Sequence, residues 1–307
     1  MSPVFGATFS VLLAYAAGLA AIEELPPATP APPSTVETGP AGADASDPEE
    51  DEPNLPVDVR ASGGPYGALF DGGYGGWVGG RLRLWVLDVT GERGASGFFE
   101  VVNLHWRGGE DRGVTPVDSL FLNGRVLWHL NDSFYAVLTA AGTVGDLSFP
   151  RLQTEVEFNF SIPSHPALVV SAGGGNRNYE RLNRPSLSVG FSYSLPKAAV
   201  SYRYWYDGTI AVAPSHTHLA TLIVGERTDM WLRVQFLWGD EGHPTGSSPT
   251  AVLGHVGTKS VGFWFEKWLL PNFGLVAGVE LAENRNAVAE EVVAHRWQLE
   301  LRPFFTF

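Results

Sequence analysis

From about Val57 to the end of the chain, apolar and polar residues alternate with a period of two. In the last segment Trp297, Leu299, Leu301, Phe305 and Phe307 share one parity, while Arg296, Gln298, Glu300 and Arg302 share the other. A strand points successive side chains to opposite faces, so this segment has one aromatic, apolar face and one charged face. The pattern recurs upstream. Leu152, Val156, Phe158 and Phe160 oppose Gln153, Glu155, Glu157 and Asn159. Val200, Tyr202, Tyr204 and Tyr206 oppose Ser201, Arg203 and Trp205, and Met230, Leu232, Val234 and Phe236 oppose Trp231, Arg233 and Gln235. Nowhere in this stretch does a helical period fit better than a strand.

The spacing predicts about fourteen strands, with twelve as the alternative count. The predicted spans are 59–70, 77–89, 97–107, 118–130, 133–143, 149–162, 166–176, 184–194, 198–206, 215–224, 229–239, 256–269, 273–283 and 294–307. Short connections such as Leu130–Asp132, Pro163–His165, Leu195–Lys197 and Leu270–Asn272 alternate with longer ones at Gly173–Asn183, Asp207–Ser215, Gly239–His255 and Ala282–Glu291. Short turns at one end and long loops at the other describe an all-β, antiparallel, up-and-down transmembrane barrel, with the short turns periplasmic. An even strand number returns both termini to that side.

A soluble sandwich or lipocalin also shows alternation. Two features weigh against it. The polar face carries more Arg and Glu than a packed soluble core accepts. The apolar face runs into aromatic residues, Trp85, Trp106, Trp128, Tyr204, Tyr206 and Trp238, placed as interfacial girdles are. An Arg turned to the bilayer midplane would cost about 2–4 kcal/mol, so the parity is enforced energetically. The barrel is therefore expected in the bacterial outer membrane, in contact with its lipid.

Two segments precede the barrel. Residues 1–21 hold an apolar run ending in small residues, the core and cleavage region of a signal peptide; the usual basic start is missing, and a membrane anchor is the other reading. Residues 22–56 form a Pro/Ala-rich acidic linker, expected to be disordered, that contains nine of the 33 acidic residues and no Lys or Arg. The net charge of −13 therefore belongs largely to the linker. Without a basic face a nucleic-acid partner is excluded. The chain has no cysteine, so disulfides and thiolate chemistry play no part.

The terminal strand, closing on Phe305 and Phe307, resembles the C-terminal signal that the outer-membrane barrel assembly machinery reads. The phrases Phe149-Pro-Arg151 with Glu155, Ala199–Tyr206, Ser215-His216, Thr228–Arg233 and Trp238–Gly242 resemble the YaiO-like family of outer-membrane β-barrels over most of residues 59–307. That resemblance implies a location and a fold but no reaction.

Candidate chemistry lies on the charged parity. Arg81, Arg83, Arg107, Arg125, Arg151, Glu155, Glu157, Arg203, Arg233, Glu266, Glu280, Arg296, Glu300 and Arg302 are expected to line the lumen. Such a set can cross-brace a closed interior through Arg–carboxylate pairs, or line a water path that selects by charge. The Arg excess on the second and fourth strands favours anionic or hydroxylated solutes. His105 and His129 are read as lumen-facing. Ser215, His216 and His218 are the best nucleophile candidates, yet adjacent residues on a strand face opposite ways, so Ser215 and His216 cannot pair. His243 and His255 sit in the longest loop. No catalytic residue, metal site or cofactor is assigned, and no phosphate-cradling Gly loop precedes a helix. The sequence thus points to a pore or export-associated channel for small polar or saccharide solutes. A structural barrel with an occluded lumen and partner-binding loops, or an enzyme acting on outer-membrane lipid, are the alternatives.

Overall fold

In the computed structural model, which describes residues 57–71, 76–88, 95–106, 117–131, 133–145, 150–178, 183–209, 212–226, 229–243, 254–286 and 292–307, every element is a β-strand. The predicted signal (1–21) and linker (22–56) lie outside the described residues. The strands are β1 Val57–Phe70, β2 Gly76–Asp88, β3 Ala95–Trp106, β4 Val117–Asn131, β5 Phe134–Val144, β6 Leu152–Ile162 and β7 His165–Asn178. They continue with β8 Asn183–Leu195, β9 Ala198–Thr209, β10 Val212–Glu226, β11 Met230–His243, β12 Gly254–Leu270, β13 Phe273–Asn286 and β14 Val292–Thr306. Of the two predicted counts, fourteen holds.

Each strand pairs antiparallel with its sequence neighbours, and β1 pairs with β14 to close the barrel. Closure leaves no edge, so backbone polar groups are satisfied within the sheet, which is what a hydrocarbon surround demands. The last residue takes part in the seam: the Phe307 amide donates to the Val59 carbonyl at 2.9 Å. At the short-turn end, Gly225 has φ +125°, a backbone shape that glycine adopts without Cβ strain.

The two faces invert the soluble rule. Leu69, Leu187 and Leu299 are each about two-thirds exposed on the outside, and a band of apolar residues surrounds them. Inside, Glu100, Arg83 and Arg296 are no more than 1% exposed. Apolar out and charge in is favourable only where the surrounding solvent is hydrocarbon.

Three sequence expectations change here. The long-loop ends of the strands project further than predicted: β7 runs on to Asn178, β9 to Thr209, β11 to His243 and β13 to Asn286. Polar strand ends beyond the bilayer lose the apolar alternation and read as loop. Trp85 belongs to the inner face, where its ring packs 4.7 Å from that of Phe98, and it is no part of a girdle. His105 faces outward instead of into the lumen, with Nδ1 2.7 Å from Asp118. Strand β3 hides its parity because Phe98-Phe99 and Val101-Val102 put apolar side chains on both faces.

Candidate functional site

Of the fourteen expected lumen charges, ten point inward and are buried: Arg81, Arg83, Arg125, Glu157, Arg233, Glu266, Glu280, Arg296, Glu300 and Arg302; Arg203 is inward and half-buried. Glu155 is inward and half-buried as well. Arg151 is a correction. It precedes β6, is exposed, and stands at the rim. Parity assigns a face but does not mark where a strand begins. Arg107 and the side chains of His243 and His255 lie outside the described residues.

The charges are not spread evenly. On the side built by β1–β3 and β11–β14 they form a dense network with aromatic rings. Glu300 accepts from Arg81 at 2.8 Å and from the Trp264 indole at 3.3 Å, and it also pairs with Arg302 on its own strand. Glu100 takes Arg83 and, at 3.2 Å, Arg81. Arg60 forks onto Glu266 with two 2.8 Å bonds, and Arg296 pairs with Glu280. Planar guanidiniums lie over rings between these pairs: Arg60 over Phe304 (3.7 Å), Arg81 over Tyr66 (4.3 Å) and Arg233 over Trp264 (4.4 Å). Arg suits such a site because it combines forked donation with stacking. This side is filled.

The other side is built from small residues. Ser171, Gly173 and Gly175 on β7 face inward beside Ser186, Ser188, Gly190, Ser192 and Ser194 on β8. Their small volume lets charges reach across: Arg203 on β9 donates to Glu157 on β6 at 2.7 Å, with β7 and β8 between them. Glu155 accepts from Ser188 (3.2 Å) and from the Trp205 indole (3.3 Å). A cleft remains here, bordered by Arg125, Glu157, Asn159, Ser171, Ser201 and Arg203. Towards the long-loop end Arg177 pairs with Asp207 at 2.9 Å, and Arg184 donates to Ser215 Oγ at 3.1 Å.

Sequence reasoning missed Arg60, Glu100, Arg177, Arg184, Asp207 and Asn159 as lumen residues of consequence. Register offers one signal: Glu100 stands directly opposite Arg83 once β2 and β3 are paired. Arg177 and Asp207 fall in segments read as loop, and Arg184 opens the strand predicted over 184–194.

The histidine candidates separate by face. Ser215 is inside and bound by Arg184, whereas His216 and His218 are outside, so the expected opposition of Ser215 and His216 is observed. His216 Nδ1 is 2.6 Å from the Tyr204 hydroxyl, and His218 Nδ1 is 2.7 Å from that of Tyr202, while the His218 ring stacks 5.1 Å from Trp238. This aromatic–imidazole patch faces lipid near the long-loop end, where amphipathic rings are favoured. His129 is on the inward parity, 5.6 Å from the Tyr135 ring. At the β1–β14 seam Asp71 accepts from His295 through both the backbone amide (2.8 Å) and Nδ1 (2.7 Å). Partial burial pushes the Asp71 carboxyl up, but those hydrogen bonds and the His295 charge outweigh it and hold it below the usual carboxylate range.

A closed barrel with an apolar exterior, a charged interior and both described ends on the short-turn side is an integral outer-membrane β-barrel of the Gram-negative type. No family model matches the chain, and no curated protein matches it. Among solved structures it is similar to an anion-selective porin from Comamonas acidovorans, at 11% identity, a TM-score of 0.43, and coverage of 82% of this chain and 99% of that one. It is also similar to OprB of Pseudomonas putida (9% identity, TM-score 0.44, 82% and 93% covered). The CymD monoaromatic hydrocarbon channel matches at 10% identity and a TM-score of 0.49, over 81% of this chain and 87% of that one. At such identities the likeness is one of barrel outline and specifies no solute.

Proposed function

We propose that the protein is an outer-membrane channel of narrow bore, passing small polar solutes along the β4–β10 side of its lumen. The observation that carries the reading is the division of the interior into a side packed with ion pairs and rings and a side walled by Ser and Gly. A barrel of this size lies between small barrels filled by side chains and open porins, so the inward side chains decide the bore. Hydroxyls and paired charges lower the cost of a polar solute entering, and the small residues leave it room. Hydroxylated solutes, saccharides among them, fit such a wall best. The YaiO-like phrases on β6, β9 and β11 agree with an envelope role and add no chemistry.

Phe305 and Phe307, exposed at the closing strand, are proposed as the signal that the barrel assembly machinery reads. Outer-membrane lipid would then surround the finished barrel.

A second reading has its own support: the near-complete burial of Glu100, Arg83 and Arg296 is what an occluded structural barrel would show. Planar-bilayer recording separates the two. The channel reading expects discrete steps for the folded protein, reduced in Ser192→Phe, which would place a ring on the small-residue wall. Silent bilayers, with folding verified by heat-modifiable migration, would favour the occluded barrel.

A further inference from the structure

One row on the outer face of the barrel departs from the apolar rule. Strand pairing sets Trp238 on β11, Lys259 on β12, Glu283 on β13 and His295 on β14 side by side around the wall. Asp71, just past β1, continues the row through its hydrogen bonds to His295. The next outward row towards the short turns is apolar throughout: Phe236, Val261, Leu281, Trp297 and Leu69. The step between the two rows marks where hydrocarbon gives way to headgroups on the long-loop side, the external leaflet.

Charge in the polar row is segregated. Glu283 stands opposite Lys259, yet it turns the other way, with Oε2 3.9 Å from His295 Nε2. Asp71 holds the same ring from its other side, at 2.7 Å from Nδ1. Both carboxylates are thus gathered at His295, and the exposed Lys259 has no ion pair among the described residues. The second lysine of β12, Lys267 near the short turns, is paired with Asp229. An ammonium without a counter-charge at the edge of hydrocarbon is costly, and an anionic group in the headgroup layer relieves that cost.

A groove of about 410 Å³ begins at Lys259 and crosses β13 to Trp297. Val261, Leu281 and Trp297 make it apolar on the hydrocarbon side, and Lys259, Glu283 and His295 make it polar on the headgroup side. It is amphipathic in the sense that a lipid is.

We propose that the groove over β12–β14 holds one phosphorylated lipid of the external leaflet, with a headgroup phosphate on Lys259. The phosphate supplies the counter-charge that the row withholds from Lys259. An acyl chain lies in the strip past Val261 and Leu281 and is removed from neither apolar neighbour. Free phosphate would satisfy Lys259 and leave that strip bare, so a lipid is the occupant that uses both halves. The site lies on the outer wall and holds whether or not the lumen conducts.

The test follows the full chain, folded in mild detergent and stripped of lipid, by native mass spectrometry as lipid A is titrated in. One copy is expected to bind ahead of any others. Dephosphorylated lipid A should bind roughly tenfold more weakly, the factor that one charge-assisted contact supplies. Lys259→Gln should weaken lipid A binding by a similar factor, and Lys259→Arg should restore it. Leu281→Trp, which keeps the charge but fills the groove, should weaken it too. Lys267→Gln is expected to bind as the parent does. Equal binding with and without the phosphates, or an equal loss in Lys267→Gln, would overturn the proposal in favour of nonspecific adhesion. Displacement of the lipid by inorganic phosphate would overturn it in favour of a free-anion site. If Leu281→Trp does not fold, as heat-modifiable migration reports, the Lys259 variants decide the matter alone.

Discussion

Arg203 on β9 donates to Glu157 on β6 at 2.7 Å, passing over two intervening strands. The reach exists because glycines occupy the rows between them. Gly190 stands in register with Arg203, and Gly173 with Glu157. A Cβ at Gly190 would lie 2.7 Å from the Tyr202 carbonyl oxygen and 2.9 Å from Ser171 Oγ, so the close approach of backbone and side chains there requires glycine. The ion pair therefore lies along the wall of the unfilled side instead of plugging it.

Removing its negative member should shift ion preference. In Glu157→Gln, Arg203 keeps its charge next to the path, and a change of about 1 kcal/mol for a partner some 4 Å away in water corresponds to roughly fivefold in local anion preference. Reversal potentials in a salt gradient should move towards anions. An unchanged potential would mean that the pair does not face permeating ions.

On the filled side the same kind of substitution should act on stability. Glu300 accepts from Arg81 and Trp264 and pairs with Arg302, all inside a dry interior. Glu300→Gln strands buried guanidiniums, and breaking a buried pair costs about 3–5 kcal/mol. Urea unfolding in detergent or vesicles should show a loss of that order. A loss under about 1 kcal/mol, the scale of exposed pairs, would indicate that water reaches the network.

The inversion of faces makes a separate prediction. Leu299 points outward near the middle of β14 and is 64% exposed. Leu299→Arg should destabilise the membrane-inserted barrel by about 2–4 kcal/mol. A neutral result in a vesicle refolding titration would argue that this face does not meet hydrocarbon.

The seam at the long-loop end should respond to acid. Asp71 has a depressed carboxyl pKa when its hydrogen bonds to His295 are made. A depressed carboxylate contributes its full stabilisation above its unfolded value of about 4 and loses it as pH falls through the lower folded value. Amide exchange at the β1–β14 rim should therefore accelerate below about pH 4, and Asp71→Asn should show fast exchange already at neutral pH. Equal pH responses of the two proteins would remove Asp71 from the account.

How far the chain announces all this depends on the strand. β14 is legible because every apolar residue from Trp297 to Leu301 alternates with a charged or amide one, and β6, β9 and β11 keep that parity with hydroxyl or aromatic residues among the polar positions. β3 was not, since Phe98-Phe99-Glu100-Val101-Val102 alternates in neither sense, and so His105 was assigned to the wrong face. Trp85 looked like a girdle residue because an aromatic at a strand end fits either face. The division of the lumen could not be read at all. It depends on which side chains meet across non-adjacent strands, as Arg60 meets Glu266 and Arg203 meets Glu157, and such meetings are set by closure of the barrel and by the volume of what lies between.

The absence of native cysteine allows the division of the lumen to be measured directly. Single cysteines would be placed at Ser171 and Ser192 on the small-residue wall, and at Ser62 on β1 and Thr258 on β12 on the filled side, where exposure is 4% and 1%. Reaction with a small charged, water-soluble thiol reagent would be timed in the folded, membrane-inserted barrel. A divided lumen gives rapid labelling at Ser171→Cys and Ser192→Cys and protection at Ser62→Cys and Thr258→Cys. Uniform labelling would reveal an open lumen, uniform protection a closed one, and either would contradict it.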